Sequence, residues 1–159
     1  MHLPQQIASH LRAVHFGGNW TAVNLKDTLS GVTWQQATTK VHDLNTIAAL
    51  VYHMHYYVAL VLQVLRGGPL DGKDKYSWIT PAINSQEDWD QLLNKTWADA
   101  ETFAKEIEQL PESKPGEEFI DNKYGNYYRN LAGIVEHCHY HLGQITLIKK
   151  LLPVEAQKE

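Results

Sequence analysis

The sequence of 159 residues has a single cysteine, Cys138, which excludes an intrachain disulfide and fits a reducing compartment. No run of lysine or arginine is longer than Lys149-Lys150, and the formal net charge is −4. A nucleic-acid partner would require a basic face, which this sequence lacks. The N-terminus also lacks a basic segment followed by an apolar one, so we expect no signal peptide and a cytoplasmic protein.

Charged side chains are missing from one long stretch. Between Leu44 and Leu65 there is no Asp, Glu, Lys or Arg, over nearly the length of a membrane-spanning helix. The same stretch holds His53, His55, Gln63 and three tyrosines. A helix that is buried on all sides within a bundle has this composition, so we expect no membrane insertion.

Apolar residues recur three and four positions apart in four segments, which predicts four long helices. Capping residues, glycine and proline set their ends. The predicted helices run from Pro4 to Gly17, from Asn45 to Arg66, from Ser85 to Leu110 and from about Tyr124 to Leu152, where Pro153 ends the last one. A short helical turn is predicted near Leu25 to Leu29, and the Thr33 to Gln36 capping box opens another short piece.

The connections between these helices are long, and residues 67–84 have the turn signals of a loop. No segment gives a convincing strand pattern. We therefore predict an all-α protein, a four-helix bundle that forms one domain over residues 1–159. Because the connections can span the bundle, an up-down-up-down order is not required.

The residues with the clearest chemistry lie near the end of the chain, in residues 136–144 (EHCHYHLGQ). His137 and His141 are four positions apart, which on a helix places both imidazoles on one face. Two imidazoles so placed can bind one divalent metal ion when other ligands complete the coordination.

The second long helix offers two candidates for a further ligand. His53 lies on an inward stripe with Leu50 and Leu60, whereas His55 falls about 160° away around the helix. Only one of them can face the pair on the last helix. A hydrogen-bonded core histidine is the alternative for His53 alone, and the pair on the last helix favours the ligand role.

Other residues near the predicted site have competing interpretations. Cys138 lies three positions before His141 and could join it as a thiolate ligand, although a lone cysteine on an apolar helix is usually buried packing. Tyr57 could orient a bound group or simply pack. Glu136 lies about 100° off the ligand face, so the sequence identifies no general base.

Two other classes of protein are alternatives to this interpretation of the histidines. A di-iron carboxylate bundle needs two Glu-x-x-His motifs and two further inward glutamates. Glu136 and His139 supply one motif, but residues 44–65 contain no acidic residue, so that site cannot be assembled. A non-enzymatic bundle that binds metal or a partner remains an open alternative.

Two segments of the chain resemble the DinB-like superfamily, which includes YfiT-like and bacillithiol-transferase-like metal-dependent enzymes. They are residues 45–53 (NTIAALVYH) and 137–145 (HCHYHLGQI), and a looser likeness extends over residues 20–148. The most specific part is the HxxxH pair followed by Gly-Gln. A common family form has Arg before Gly-Gln, where this chain has Leu142.

This resemblance implies an up-down-down-up bundle and a three-histidine site for a divalent metal such as zinc or nickel. By position, the implied ligands are His53, His137 and His141. Characterised relatives include thiol S-transferases and a thiol-dependent isomerase. The resemblance therefore also implies a small-molecule substrate, a low-molecular-weight thiol as cosubstrate and a homodimer.

Three imidazoles leave at least one coordination position open, as catalytic zinc sites do. Water there would ionise near neutral pH and serve hydrolysis, whereas a thiol would become the attacking thiolate and serve S-transfer. We therefore expect a metal-dependent transferase or hydrolase.

Overall fold

The protein is described by a computed structural model that covers residues 2–152, where it contains seven α-helices and no strand. An isolated antiparallel bridge joins Glu118 and Asn126. The all-α prediction is therefore confirmed. The helices are α1 (Leu3–Phe16), α2 (Leu25–Leu29), α3 (Trp34–Thr38), α4 (Ile47–Leu65), α5 (Asp74–Ser77), α6 (Gln86–Glu108) and α7 (Tyr127–Leu151), with two 3-10 turns at Lys114–Gly116 and Asn122–Tyr124.

Two predicted helix starts agree with the local capping chemistry. The Ser85 hydroxyl accepts a hydrogen bond from the backbone N–H of Asp88 and begins α6. Thr33 and Gln36 form both hydrogen bonds of the predicted capping box at α3.

Two other predicted starts are wrong. Thr46, and not Asn45, caps α4, because its hydroxyl accepts from the Ala49 N–H. Tyr124 lies in a 3-10 turn, and α7 begins after Asn126, whose side chain satisfies a free N–H of the first turn. The predicted stop at Pro153 lies outside the described residues.

Side-chain contacts fix the directions of the first three long helices. His2, at the start of α1, pairs with Glu112 beyond the end of α6, and Phe16, at the end of α1, contacts Trp97. These two helices are therefore antiparallel. In contrast, α4 runs parallel to α6, because successive positions of α4 pair with successive positions of α6 (His55 with Asp99, then Arg66 with Glu106).

The direction of α7 follows from its contacts with α4. Leu50 and Ile148 line one small cavity between these helices, and Val61 and Ile134 line another. From the first cavity to the second, the residue numbers rise along α4 and fall along α7, so the two helices are antiparallel. The four long helices therefore run up, down, down and up, as the family resemblance implied.

Helix α4 is the most deeply buried of the four. It is the one helix within residues 2–152 that is long and apolar enough to cross a membrane, and 61% of its most apolar window is buried in the protein. Its two histidines point to different neighbours. His55 contacts Asp99 of α6 at 2.7 Å, whereas His53 faces α7.

Another buried histidine, His15, has a consequence for stability. His15 is 1% exposed near the end of α1, and its Nδ1 lies 2.8 Å from the carbonyl oxygen of Leu11, to which it donates. Burial, with smaller contributions from the neighbouring His139 and His55, lowers the pKa of His15 from 6.5 to about 4, although the hydrogen bond to Leu11 opposes the change.

We expect His15 to make the protein less stable as the pH falls from about 6.5 to about 4. The unfolded chain binds a proton on this ring near pH 6.5, whereas the folded protein resists protonation until about pH 4, so acid favours unfolding across that window. Replacing His15→Gln should reduce the slope of unfolding free energy against pH by up to about 1.4 kcal/mol per pH unit. Urea denaturation at several pH values measures this, and His10→Gln, exposed on the same helix, is the control. Equal slopes in both variants and the parent would contradict the assignment.

Candidate metal centre

Three histidine rings from two antiparallel helices meet inside the bundle. His53 comes from α4, and His137 and His141 come from successive turns of α7. The Nε2 atom of His137 lies 3.0 Å from Nε2 of His53 and 2.9 Å from Nε2 of His141, and the candidate ligand atoms all lie within 4.8 Å of one another. The structure thus brings together the three residues singled out from the sequence.

The second ring nitrogen of His53 is held by helix α5. The Ser77 hydroxyl donates its proton to the backbone carbonyl of Asp74 at 2.6 Å. Its oxygen therefore accepts from Nδ1 of His53, which lies 2.8 Å away. This hydrogen bond places the proton of a neutral His53 on Nδ1 and leaves the lone pair of Nε2 facing the other two rings.

The second ring nitrogen of His141 is held within its own helix. Nδ1 of His141 lies 2.7 Å from the side-chain oxygen of Gln144, one turn later. An amide oxygen only accepts, so the ring donates from Nδ1, and its Nε2 lone pair also points into the cluster. Gln144 belongs to the Gly-Gln pair of the sequence motif.

The electrostatics of this cluster fit a bound cation. The Nε2 lone pairs of His53 and His141 both face Nε2 of His137. One proton on that nitrogen cannot form a good hydrogen bond with both of them. Burial, with repulsion from neighbouring rings, lowers the pKa of His53 and of His137 to about 4, and burial also lowers the pKa of His141. All three rings are thus neutral at physiological pH, which is the form that binds metal. An all-imidazole donor set of this kind could hold a divalent metal ion.

Aromatic and acidic side chains enclose the cluster. Trp78 stacks on His53, with ring centroids 3.8 Å apart and planes at 19°. Tyr57 meets the rings of His53 and His137 edge-on and donates its hydroxyl hydrogen to Asp74 at 2.8 Å. Burial and the Asp74 carboxylate raise the pKa of Tyr57 to about 12, so this hydroxyl stays protonated and ties α5 to α4.

The turn signals of residues 67–84 predict a loop, whereas the structure has helix α5 within this segment. The helix has four residues, too few to show a helical period, and Lys73 provides no side-chain cap. It nevertheless supplies Asp74 and Ser77, and Trp78 follows directly. Gln144 could have been identified, because it lies three positions after His141 on the same helix.

The alternative candidates lie elsewhere. Cys138 is fully buried outside the group of converging ligand atoms, and burial raises its pKa to about 12, so the structure does not support it as a thiolate ligand beside His141. His55 is engaged with Asp99 on the other side of α4. His139 is likewise not one of the three converging rings.

A cavity of about 630 Å³ opens beside the cluster and is bordered by His53 and His137. This volume is typical of sites for small molecules. Apolar and polar residues of α4, α5 and α7 and of the loops that follow α4 and α6 line the cavity. Charged side chains also line it, among them Arg129, Glu136 and Asp74.

A bundle of this order with three converging imidazoles defines a class of candidate metal-binding helical proteins. Sequence comparison agrees: the family model of the DinB superfamily matches residues 11–145, which include all three histidines, and the chain belongs to this superfamily. Many of its members are metal-dependent enzymes. Neither a curated protein nor a solved structure matches the chain.

We expect the hydrogen bonds to the rings to tune metal affinity. Ser77→Ala and Gln144→Ala each remove the acceptor that fixes one ring, and each should weaken zinc binding by about tenfold or more. Gln144→Glu keeps an acceptor and should bind at least as tightly as the parent. Competition with a chromophoric chelator at neutral pH measures these affinities.

Ser113→Ala is the matched control, because this serine is exposed and its hydroxyl contacts Glu117 and not the cluster. Parent-like affinity in both Ser77→Ala and Gln144→Ala would show that these side chains do not orient metal ligands.

Proposed function

We propose that this protein is a metal-dependent enzyme that uses His53, His137 and His141 to hold a divalent metal ion and transfers a thiol to a small organic electrophile. The observation that carries the proposal is the convergence of three Nε2 atoms beside a cavity large enough for a substrate. A divalent ion held there would supply Lewis-acid activation, lowering the pKa of a thiol or water that binds next to it.

The surrounding residues favour thiol transfer over hydrolysis as the first candidate. Hydrolysis of most substrates requires a group that gives a proton to the leaving group. Tyr57 has a raised pKa and donates its hydroxyl hydrogen to Asp74, so it does not readily give that proton to a leaving group. Asp74 accepts the same hydrogen bond. A thiol whose pKa is lowered is already the attacking thiolate and needs no protein base. Hydrolysis remains the second candidate, with Glu136 at the cavity wall as its acid or base.

In the proposed reaction the thiol loses its proton to solvent and the sulfur lone pair attacks an electrophilic carbon. A carbon–sulfur bond forms, and the leaving group departs with the electron pair of its former bond to carbon. Ser77 and Gln144 hold the imidazoles in place during this step, while Trp78 and Tyr57 restrict water around them.

Gly133 keeps the cavity open next to His137. It lies one helical turn before His137 on α7 and lines the cavity, and a Cβ atom added there would meet nothing within 4 Å. Glycine inside a helix is less favourable than alanine by roughly 1 kcal/mol. A close approach of neighbouring atoms therefore does not explain the glycine at this position. In the proposed function, the glycine leaves room for the substrate.

The experiment is a rate measurement on zinc-loaded protein with 1-chloro-2,4-dinitrobenzene and a series of thiols. We expect product formation that requires both thiol and metal and that is lost in His53→Ala. Gly133→Leu should reduce kcat/KM by about tenfold or more while the metal content stays at the parent level, because a side chain there fills the cavity.

Gly143→Leu is the matched control, since this exposed glycine of α7 also has open space around it but does not line the cavity. Turnover that continues without thiol would show that the reaction is hydrolysis and not thiol transfer. Absence of turnover with every thiol, or equal rates in the two glycine variants, would count against the proposal.

A further inference from the structure

The cavity beside the histidines also has a cation on α7. Arg129 lies eight residues before His137, about 80° around the helix and about 12 Å along it, and both side chains line the cavity. Gly133 lies between them and adds no side chain to the path. A molecule that starts at the histidines and follows the cavity floor therefore reaches Arg129.

Arg129 differs from the other two arginines in having no acidic partner among residues 2–152. Arg12 pairs with Glu101 and Glu108, joining α1 to α6, and Arg66 pairs with Glu106. Within residues 2–152, Arg129 forms no ion pair.

Arg129 is nevertheless anchored by the backbone. One of its terminal nitrogens, Nη1, donates to the carbonyl oxygen of Tyr124 at 2.9 Å, and the Asn130 side chain donates to the same oxygen. This contact fixes one edge of the guanidinium and leaves its Nε and Nη2 donors for another acceptor. A guanidinium with two free donors can bind a carboxylate through paired hydrogen bonds.

The rest of the cavity fits an organic acid with an apolar body. Leu60, Leu70, Phe119 and Ile134 form apolar walls. The two acidic side chains that line the cavity, Asp74 and Glu136, do not pair with Arg129, and Asp74 lies at the histidine end, where it contacts Tyr57. A carboxylate is therefore attracted to the Arg129 end and repelled by Asp74 at the other.

We propose that the substrate held in this cavity is a small carboxylic acid whose carboxylate binds Arg129 and whose reacting atom lies at the histidines. This inference rests on the proposed function, because it specifies the class of molecule that the site would act on. It assigns Arg129 as a binding residue that determines specificity.

The test uses cobalt-loaded protein and two probes of equal length, 6-mercaptohexanoate and 6-mercaptohexanol, whose sulfur takes the place of the reacting atom at the histidines. The thiolate-to-cobalt absorption band reports binding of the sulfur without any turnover. We expect the acid to bind about tenfold more tightly than the alcohol. Arg129→Gln should abolish this difference and leave the alcohol affinity unchanged, whereas Arg129→Lys should keep only part of it. Acids of three to eight carbons should show one best length.

Lys123→Gln is the matched control, because it removes a nearby cation that is exposed, pairs with Asp121 and does not line the cavity. An equal affinity for acid and alcohol in the parent would overturn the inference. So would an acid preference that survives Arg129→Gln, or one that is lost equally in Lys123→Gln.

A second measurement separates this inference from the proposed function. If no thiol gives the absorption band, thiol activation fails, and the carboxylate site is tested on metal-free protein by NMR with hexanoate and hexanol. The Arg129 side-chain N–H resonance should shift with hexanoate and not with hexanol. An unchanged resonance with both would overturn the carboxylate site.

Discussion

The convergence of three imidazole nitrogens is the interaction on which the site depends. Neutral rings at 2.9 and 3.0 Å present more lone pairs to one another than protons can satisfy, and protonation is opposed by burial. The arrangement is therefore most favourable with a cation among the rings. The helix order makes it possible, because antiparallel packing of α4 on α7 sets His53 opposite both histidines of α7.

The hydrogen bonds that hold the histidine rings come from two parts of the chain, helix α7 and the connection between α4 and α6. Gln144 lies on the same helix as its histidine, so the spacing within α7 alone sets that contact. Ser77 belongs to α5, 24 residues after His53, and reaches the ring only because α5 folds back against α4. The hydrogen bond of Tyr57 to Asp74 ties that short helix to α4. The connection between α4 and α6 is therefore part of the site.

Much of the fold and the pair of His137 and His141 could be predicted from local spacing in the sequence. The place of His53 in the ligand set was instead implied by the family resemblance, because His53 lies 84 residues from His137. The 3.6-residue period defines the long helices, and the four-residue spacing of His137 and His141 is itself a helical signal. Ser77 could not be predicted in this way, because its contact with His53 depends on packing between distant segments, and α5 is too short to have a period. The choice between Asn45 and Thr46 as a cap depends on one residue of register, which composition does not determine.

X-ray absorption spectroscopy of the zinc-loaded protein, purified without a nickel column, tests the central claim most directly. The account predicts one zinc per chain with three imidazole nitrogens at about 2.0 Å and an exchangeable oxygen ligand, replaced by sulfur at about 2.3 Å when a thiol is added. His53→Ala should lose this signal while remaining helical by circular dichroism. Sulfur scattering before any thiol is added, a closed shell that no thiol alters, or full zinc retention in His53→Ala would contradict it.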